Sequence, residues 1–294
     1  MTAADLAHPG TGPYPAGPFT DATLPGHTIF APLVPPPVRV LMPVFLWAGA
    51  GCIRAGSLYA PFLSEIASHG YLVIATGNPL PPVTVENGTL GWQALSRALA
   101  QPASHPGDLS AALEWVVRRR PTRFGGVDSQ AILMGGHSCG GLEVYSAAWR
   151  EARVRGLMLF NSGTLDVRTR ALLAEERVPV AYFTGGRTDG AEGNAEADYR
   201  ALPEGLPAFK ASLDTGHAGT LFSRNGGKYG KAAVEYLQWR VRGISRAKDA
   251  CLRPDSPGSL VGDGWRVGFK NWLPTEKVGD SEEDDEEEGE PAAR

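Results

Sequence analysis

Apolar residues fall into short uninterrupted runs that alternate with segments of helical spacing. The runs have strand length and predict strands over 27–33, 38–47, 71–75, 130–134, 156–160, 179–183 and 208–213. The intervening segments have apolar residues on one helical face and predict helices over 59–68, 92–100, 108–120, 141–150, 169–176 and 228–242. Strands that are apolar throughout belong to sheets buried on both faces. The pattern therefore predicts an α/β fold, a mostly parallel central sheet flanked by helices on both faces.

The 294 residues are predicted to form one domain over 20–273, without internal repeats. Residues 1–19 are rich in proline and glycine and predict an irregular arm. Residues 274–294 predict a disordered acidic tail, because 280–290 contain nine acidic residues and no basic one. Such a tail is interpreted as a solubilising extension, with docking to a basic partner as the alternative.

Charge and hydropathy exclude several partners. The longest basic run, Arg118-Arg119-Arg120, ends a predicted helix and opposes the helix dipole favourably, so nucleic-acid binding is not predicted. No run of about 18 apolar residues exists, so no membrane span is predicted. The first residues lack a basic segment followed by an apolar one, which predicts a cytoplasmic protein without a secretory signal. Oligomeric state stays open.

A serine stands in the Gly-x-Ser-x-Gly motif of residues 136–140, between a predicted strand and a predicted helix. This nucleophile elbow places the serine on a sharp, strained turn, where side chains at the flanking glycines would collide with neighbouring elements. The motif therefore predicts Ser138 as a nucleophile. In a chain with 37 glycines, a structural glycine turn with an exposed serine is the alternative.

A catalytic serine needs a histidine to take its proton and a carboxylate to orient that histidine. His217 follows the last predicted strand, in a loop of small residues before the final long helix, and is the predicted base. His137 is expected to pack or to hydrogen-bond behind the site. Asp189, after the strand over 179–183, is the predicted acid, with Asp166 second. The other candidates between the serine and the base are Glu192, Glu196, Asp198 and Asp214.

Two backbone N–H groups should stabilise the negative charge of a tetrahedral intermediate. The amide of Cys139 is one, because it follows the nucleophile, and the amide of Cys52, after the first long strand, is assigned as the other. If both lie there, a disulfide between them would rigidify this oxyanion hole. Two small buried thiols are the alternative, favoured in a cytosolic protein.

Substrate size is expected to depend on the loop over 76–106, which contains Trp92. Trp92 could line an acyl pocket or belong to a partial lid. Packing of its helix against the core is the alternative.

On these residues the chain resembles the dienelactone-hydrolase-like branch of the α/β-hydrolases, with its chlorophyllase-like, platelet-activating-factor-acetylhydrolase-like and polyester-degrading cutinase-like enzymes. The matching stretches are 17–20, 47–52, 65–75, 135–141, 184–189 and 215–220. The resemblance implies a Ser138–Asp189–His217 triad, an oxyanion hole from Cys52 and Cys139, and no metal or cofactor. Dienelactone hydrolases proper have a cysteine nucleophile where this chain has a serine. The related polyester hydrolases usually have a methionine where it has Cys139.

The predicted activity is hydrolysis of a small-molecule carboxylic ester. An acyltransferase with the same triad and a non-catalytic binding protein of the same fold are the alternatives. The second is disfavoured because all three triad residues are present.

Overall fold

The computed structural model describes residues 9–37, 39–80, 85–86, 89–90 and 92–272. The predicted tail over 274–294 lies outside these ranges, as do residues 1–8 of the predicted arm.

The described residues form eleven strands: β1 (Ala16–Phe19), β2 (His27–Pro32), β3 (Leu41–Ala48), β4 (Leu72–Thr76), β5 (Val85–Glu86), β6 (Thr89–Leu90), β7 (Gly126–His137), β8 (Val154–Phe160), β9 (Val180–Thr184), β10 (Ala208–Ser212) and β11 (Arg266–Lys270). The α-helices of the same residues are α1 (Ala60–Ser68), α2 (Trp92–Leu99), α3 (Pro106–Arg119), α4 (Cys139–Ala148), α5 (Val167–Ala171), α6 (Glu192–Ala201), α7 (Gly227–Arg242) and α8 (Ser245–Leu252).

Nine of these strands form one sheet in the order β1-β2-β4-β3-β7-β8-β9-β10-β11. The six strands from β4 to β10 in this order are parallel to one another. Strands β1 and β2 extend one edge antiparallel, and β11 extends the other. The predicted α/β class with a mostly parallel sheet is confirmed.

The sheet separates two apolar cores, and β3 shows why. Phe45 and Trp47 point to a core shared with α1 and α7, where Trp47 lies 5.1 Å from the ring of Phe62. Val44 and Leu46 alternate with them and pack in a core shared with α3 and α4. A strand buried on both faces has apolar residues at successive positions, which is why the sequence pattern predicted β3.

Three differences from the predicted elements have physical reasons. The predicted irregular arm over 1–19 was wrong for Ala16–Phe19, which form edge strand β1; Pro18 is tolerated there because an edge strand can leave one side unpaired. Strand β7 runs on to His137, since Gly135 and Gly136 pair with strands on both sides. Helix α6 was missed because it buries only Ala195 and Asp198, too few to produce a helical pattern.

Helix α8, the antiparallel strand β11 and the short strands β5 and β6 also went unpredicted. Within the described ranges, no helix is both long and apolar enough to cross a membrane.

Candidate active site

The carboxyl ends of four neighbouring parallel strands bring polar residues to one edge of the sheet. Ser138 follows β7, Asn161 follows β8, Asp189 lies five residues after β9, and His217 lies five residues after β10. Parallel strands end on the same side, so residues far apart in sequence meet there.

Ser138 occupies the sharp turn between β7 and α4. Its backbone angles, φ 55° and ψ −122°, are uncommon for a residue with a side chain. The glycines of the motif are required by crowding: a Cβ on Gly136 would collide with the carbonyl oxygen of Gly140, and one on Gly140 would collide with the backbone of Ala48. The turn holds the serine at the sheet edge, as the motif predicted.

Three predicted side chains form a continuous line of hydrogen bonds. The hydroxyl of Ser138 lies 2.8 Å from Nε2 of His217. Nδ1 of His217 lies 2.7 Å from Oδ1 of Asp189. The structure therefore brings together the serine, histidine and carboxylate that the sequence analysis selected.

Backbone and side-chain donors surround the Asp189 carboxylate, which is buried. Oδ2 accepts from the Asn161 amide at 2.9 Å and from the Gly185 N–H at 3.0 Å, and Oδ1 accepts from the Ala191 N–H at 3.0 Å. Burial raises the pKa of Asp189, but the bond from His217 and these donors outweigh it and lower the pKa to about 2. The group is ionised at neutral pH.

His217 is less protected, with 48 % of its side chain exposed. The hydrogen bond to Asp189 raises the pKa of His217, and partial burial opposes this shift. An imidazole held between a serine hydroxyl and a carboxylate can take a proton from the first and is stabilised as imidazolium by the second.

The remaining candidate acids between Ser138 and His217 are engaged elsewhere. Asp166, the second choice from sequence, is exposed and caps α5 by accepting the backbone N–H groups of Arg168 and Thr169. The other four accept bonds from neighbouring side chains: Asp214 from Arg266, Glu192 from Ser212, Glu196 from Lys210 and Asp198 from Arg170. Of the candidates, Asp189 is the one that contacts the histidine.

Cys52 and Cys139 form a disulfide, with their Cα atoms 5.2 Å apart. The third cysteine, Cys251, is buried and free. Of the two possibilities considered from sequence, a disulfide or two buried thiols, the structure contains the disulfide. Disulfides persist mainly in oxidising compartments, so this bond weighs against the predicted cytoplasmic location, which stays a prediction.

The disulfide bears directly on the predicted oxyanion donors. Cys139 is the first residue of α4, and Cys52 ends the short 3₁₀ turn Ala50–Cys52 that follows β3. The bond ties this turn to the residue after the serine. The two residues expected to supply N–H donors are thus adjacent, and their role in stabilising an oxyanion stays a prediction.

A cleft of about 270 Å³ opens beside Ser138 and His217. Leu142, Leu165 and Ala191 contribute to its mostly apolar lining. Trp92 begins α2, but its side chain lies outside the described part of the chain, so its predicted place in the pocket stays a prediction.

Sequence reasoning did not select Asn161 and Tyr59. Asn161 is fully buried, with φ 47°, and its amide also lies 3.2 Å from the carbonyl of Gly216 in the loop of the histidine. A polar residue at the carboxyl end of an apolar strand was the available signal. Tyr59 gave no such signal, because the apolar spacing of the predicted helix over 59–68 already accounts for an apolar residue at its first position.

In the part of the chain that the structure describes, no three His, Cys, Asp or Glu side chains are grouped to hold a metal ion. No protein-family model matches this chain, and no curated protein matches it.

Proposed function

We propose that this protein is a serine hydrolase of the α/β-hydrolase type, which cleaves carboxylic esters through an acyl-enzyme on Ser138. The observation that carries the proposal is the hydrogen-bonded line from the Ser138 hydroxyl through His217 to the buried Asp189. A base within hydrogen-bond reach of a nucleophile on one side and of an orienting carboxylate on the other is the arrangement that activates a serine.

The fold assignment rests on where these residues fall. A serine on a strained strand-to-helix turn, followed along the chain by an aspartate and then a histidine, is the order typical of α/β-hydrolases. Six parallel strands around this turn and helices on both faces support the same assignment.

The geometry supports a two-step reaction. The Ser138 oxygen attacks the ester carbonyl while Nε2 of His217 takes the hydroxyl proton, and the ionised Asp189 stabilises the imidazolium. Backbone N–H groups of Cys139 and Cys52 would bind the developing oxyanion. His217 then returns the proton to the leaving alcohol, and a water activated by the same histidine releases the acid from Ser138.

Hydrolysis is favoured over acyl transfer by the surroundings of the base. Nearly half of the His217 side chain is open to solvent, so water has direct access to the base that would activate it. The cleft is small for a ligand site, and its apolar lining from Leu142 and Leu165 favours a compact apolar acyl group.

A fluorophosphonate probe tests the proposal directly, because it reacts covalently with serines activated by a triad. We expect one label per folded chain, located by peptide mass spectrometry on Ser138. The heat-denatured chain is the matched control and should take no label. Absence of label on the folded protein, or a label on another serine, contradicts the proposed function.

The raised pKa of His217 predicts the pH dependence of ester cleavage. The base must be neutral to accept the serine proton, so kcat/KM should fall on the acid side with an apparent pKa above 6.5, by about tenfold per pH unit. Asp189, with a pKa of about 2, stays ionised over this range. The measurement uses p-nitrophenyl esters followed at the isosbestic wavelength of the product. An apparent pKa below 6.5 would contradict the coupling of His217 to Asp189.

A further inference from the structure

A second line of hydrogen bonds runs beneath the candidate active site. The Ala50 N–H donates to the hydroxyl oxygen of Tyr59 at 2.9 Å. The same hydroxyl lies 2.8 Å from Nδ1 of His137, and Nε2 of His137 lies 2.7 Å from the backbone carbonyl of His217. Four residues from three separate parts of the chain are thus connected.

Elementary hydrogen-bond chemistry fixes the direction of every bond in this line. A carbonyl oxygen only accepts, so Nε2 of His137 must carry the proton that faces His217. Nδ1 of a neutral imidazole then accepts, so the Tyr59 hydroxyl must donate to it. The hydroxyl oxygen keeps lone pairs for the Ala50 N–H. Burial holds the pKa of His137 at about 4, which keeps the ring neutral at physiological pH.

Both intermediate side chains are shielded from water. Tyr59 is 1 % exposed and His137 is 3 % exposed. The Tyr59 ring packs between Trp47 and Phe222, at 5.2 and 5.1 Å between ring centres. Water therefore cannot take the place of a lost hydroxyl, and each donor and acceptor in the line depends on its partner within the protein.

The two ends of the line are both parts of the reaction machinery proposed above. Ala50 begins the 3₁₀ turn that ends at Cys52, the assigned oxyanion donor. The other end is the main chain of His217, the base itself. One end is also tied to the nucleophile, because Cys52 is disulfide-bonded to Cys139, next to Ser138.

We infer that Tyr59 and His137 are positioning residues, which hold the oxyanion turn and the base in register with each other. The inference rests on the proposed function. Neither side chain touches the reacting atoms; each acts through the backbone that it holds. A displacement of about 1 Å in a catalytic group can lower a rate by about 100-fold, so a bond that fixes the His217 backbone affects turnover.

Replacing Tyr59 by phenylalanine tests this inference with the least change, because the ring and its packing stay. The Ala50 N–H and His137 Nδ1 both lose their partner. We expect kcat for p-nitrophenyl esters to fall by about 10- to 100-fold with KM within about threefold, because the loss affects geometry more than substrate contacts.

Tyr182→Phe is the matched control. Tyr182 is also about 1 % exposed, and its hydroxyl pairs with that of Tyr145 at 2.6 Å, in the core on the other side of the sheet. It should lower the melting temperature about as much as Tyr59→Phe and leave kcat within about twofold of wild type. Equal losses of kcat in both variants would overturn the inference, because the effect would then be one of general stability. A kcat for Tyr59→Phe within about twofold of wild type would also overturn it.

The tautomer of His137 is a second readout, independent of substrate. In ¹⁵N-labelled protein, long-range ¹H–¹⁵N spectra should show a neutral His137 ring protonated at Nε2 from pH 5 to 8. A ring protonated at Nδ1, or an imidazolium in that range, would overturn the assigned direction of the line.

The outcomes separate this inference from the proposed function. Ester turnover that does not respond to Tyr59→Phe overturns the inference alone. A wild-type protein with the expected tautomer that neither cleaves esters nor takes the fluorophosphonate label overturns the proposed function, and the positioning role falls with it.

Discussion

Replacing Ser138 by alanine should lower kcat/KM for p-nitrophenyl esters by about 10⁵- to 10⁶-fold, to the level left by substrate binding and the oxyanion donors. The reason is that the substitution removes the hydroxyl that is hydrogen-bonded to His217 and placed to attack a carbonyl. The line of bonds from Nε2 of His217 ends at this hydroxyl. Alanine adopts the φ of 55° about as readily as serine does, so the fold should be retained.

Matched measurements separate chemistry from folding. Ser110→Ala removes an exposed serine hydroxyl from α3 and should leave kcat/KM within about twofold of wild type. Circular dichroism and the melting temperature should be nearly unchanged in both variants. Ester turnover by Ser138→Ala within about tenfold of wild type would refute the assignment of Ser138 as nucleophile.

Asp189→Asn is expected to lower kcat by about 10⁴-fold, although it changes one atom. The surroundings decide how the new amide is oriented. An NH₂ group at the Oδ2 position would face two donors, the amide of Asn161 and the N–H of Gly185. At the Oδ1 position it would face one such donor, the N–H of Ala191, so the NH₂ should take this position and donate to Nδ1 of His217. The histidine is then protonated at Nε2, and it cannot accept the proton of Ser138.

Asp166→Asn is the control that discriminates between the two carboxylates considered from sequence. Asp166 is exposed and caps α5, so its replacement should leave kcat within about twofold, with a small loss of stability. The spectra of ¹⁵N-labelled His217 should show the exchange of tautomer in Asp189→Asn and not in Asp166→Asn. A reversed order of kcat loss would move the acid from Asp189 to Asp166.

The predictions from sequence were reliable where they depended on residues that are close together along the chain. The apolar runs located the six parallel strands, because a strand buried on both faces must be apolar throughout. The motif around Ser138 located the strained turn, because only glycine fits at positions 136 and 140. Helix α6 and strand β11 were missed, because their residues are mostly half-exposed or exposed and leave a weak pattern.

Selecting the acid needed more than the pattern. Asp166, Asp189 and Asp214 all follow strands at the carboxyl edge, so position along the chain favours none of them decisively. The bonds from Asn161, Gly185 and Ala191 distinguish Asp189, because they keep its buried carboxylate ionised beside the histidine. These donors come from loops whose course depends on the packed sheet.

By itself, the sequence determined the α/β class, the positions along the chain of the six strands that form the parallel part of the sheet, and a serine on a glycine-flanked turn. These follow from side-chain periodicity and from steric limits within a few residues. The tertiary structure decided the contact of Asp189 with His217, the disulfide between Cys52 and Cys139, and the line from Ala50 through Tyr59 and His137. These contacts join residues 9 to 87 positions apart, and their distances and proton directions exist only once the sheet has brought its loops together.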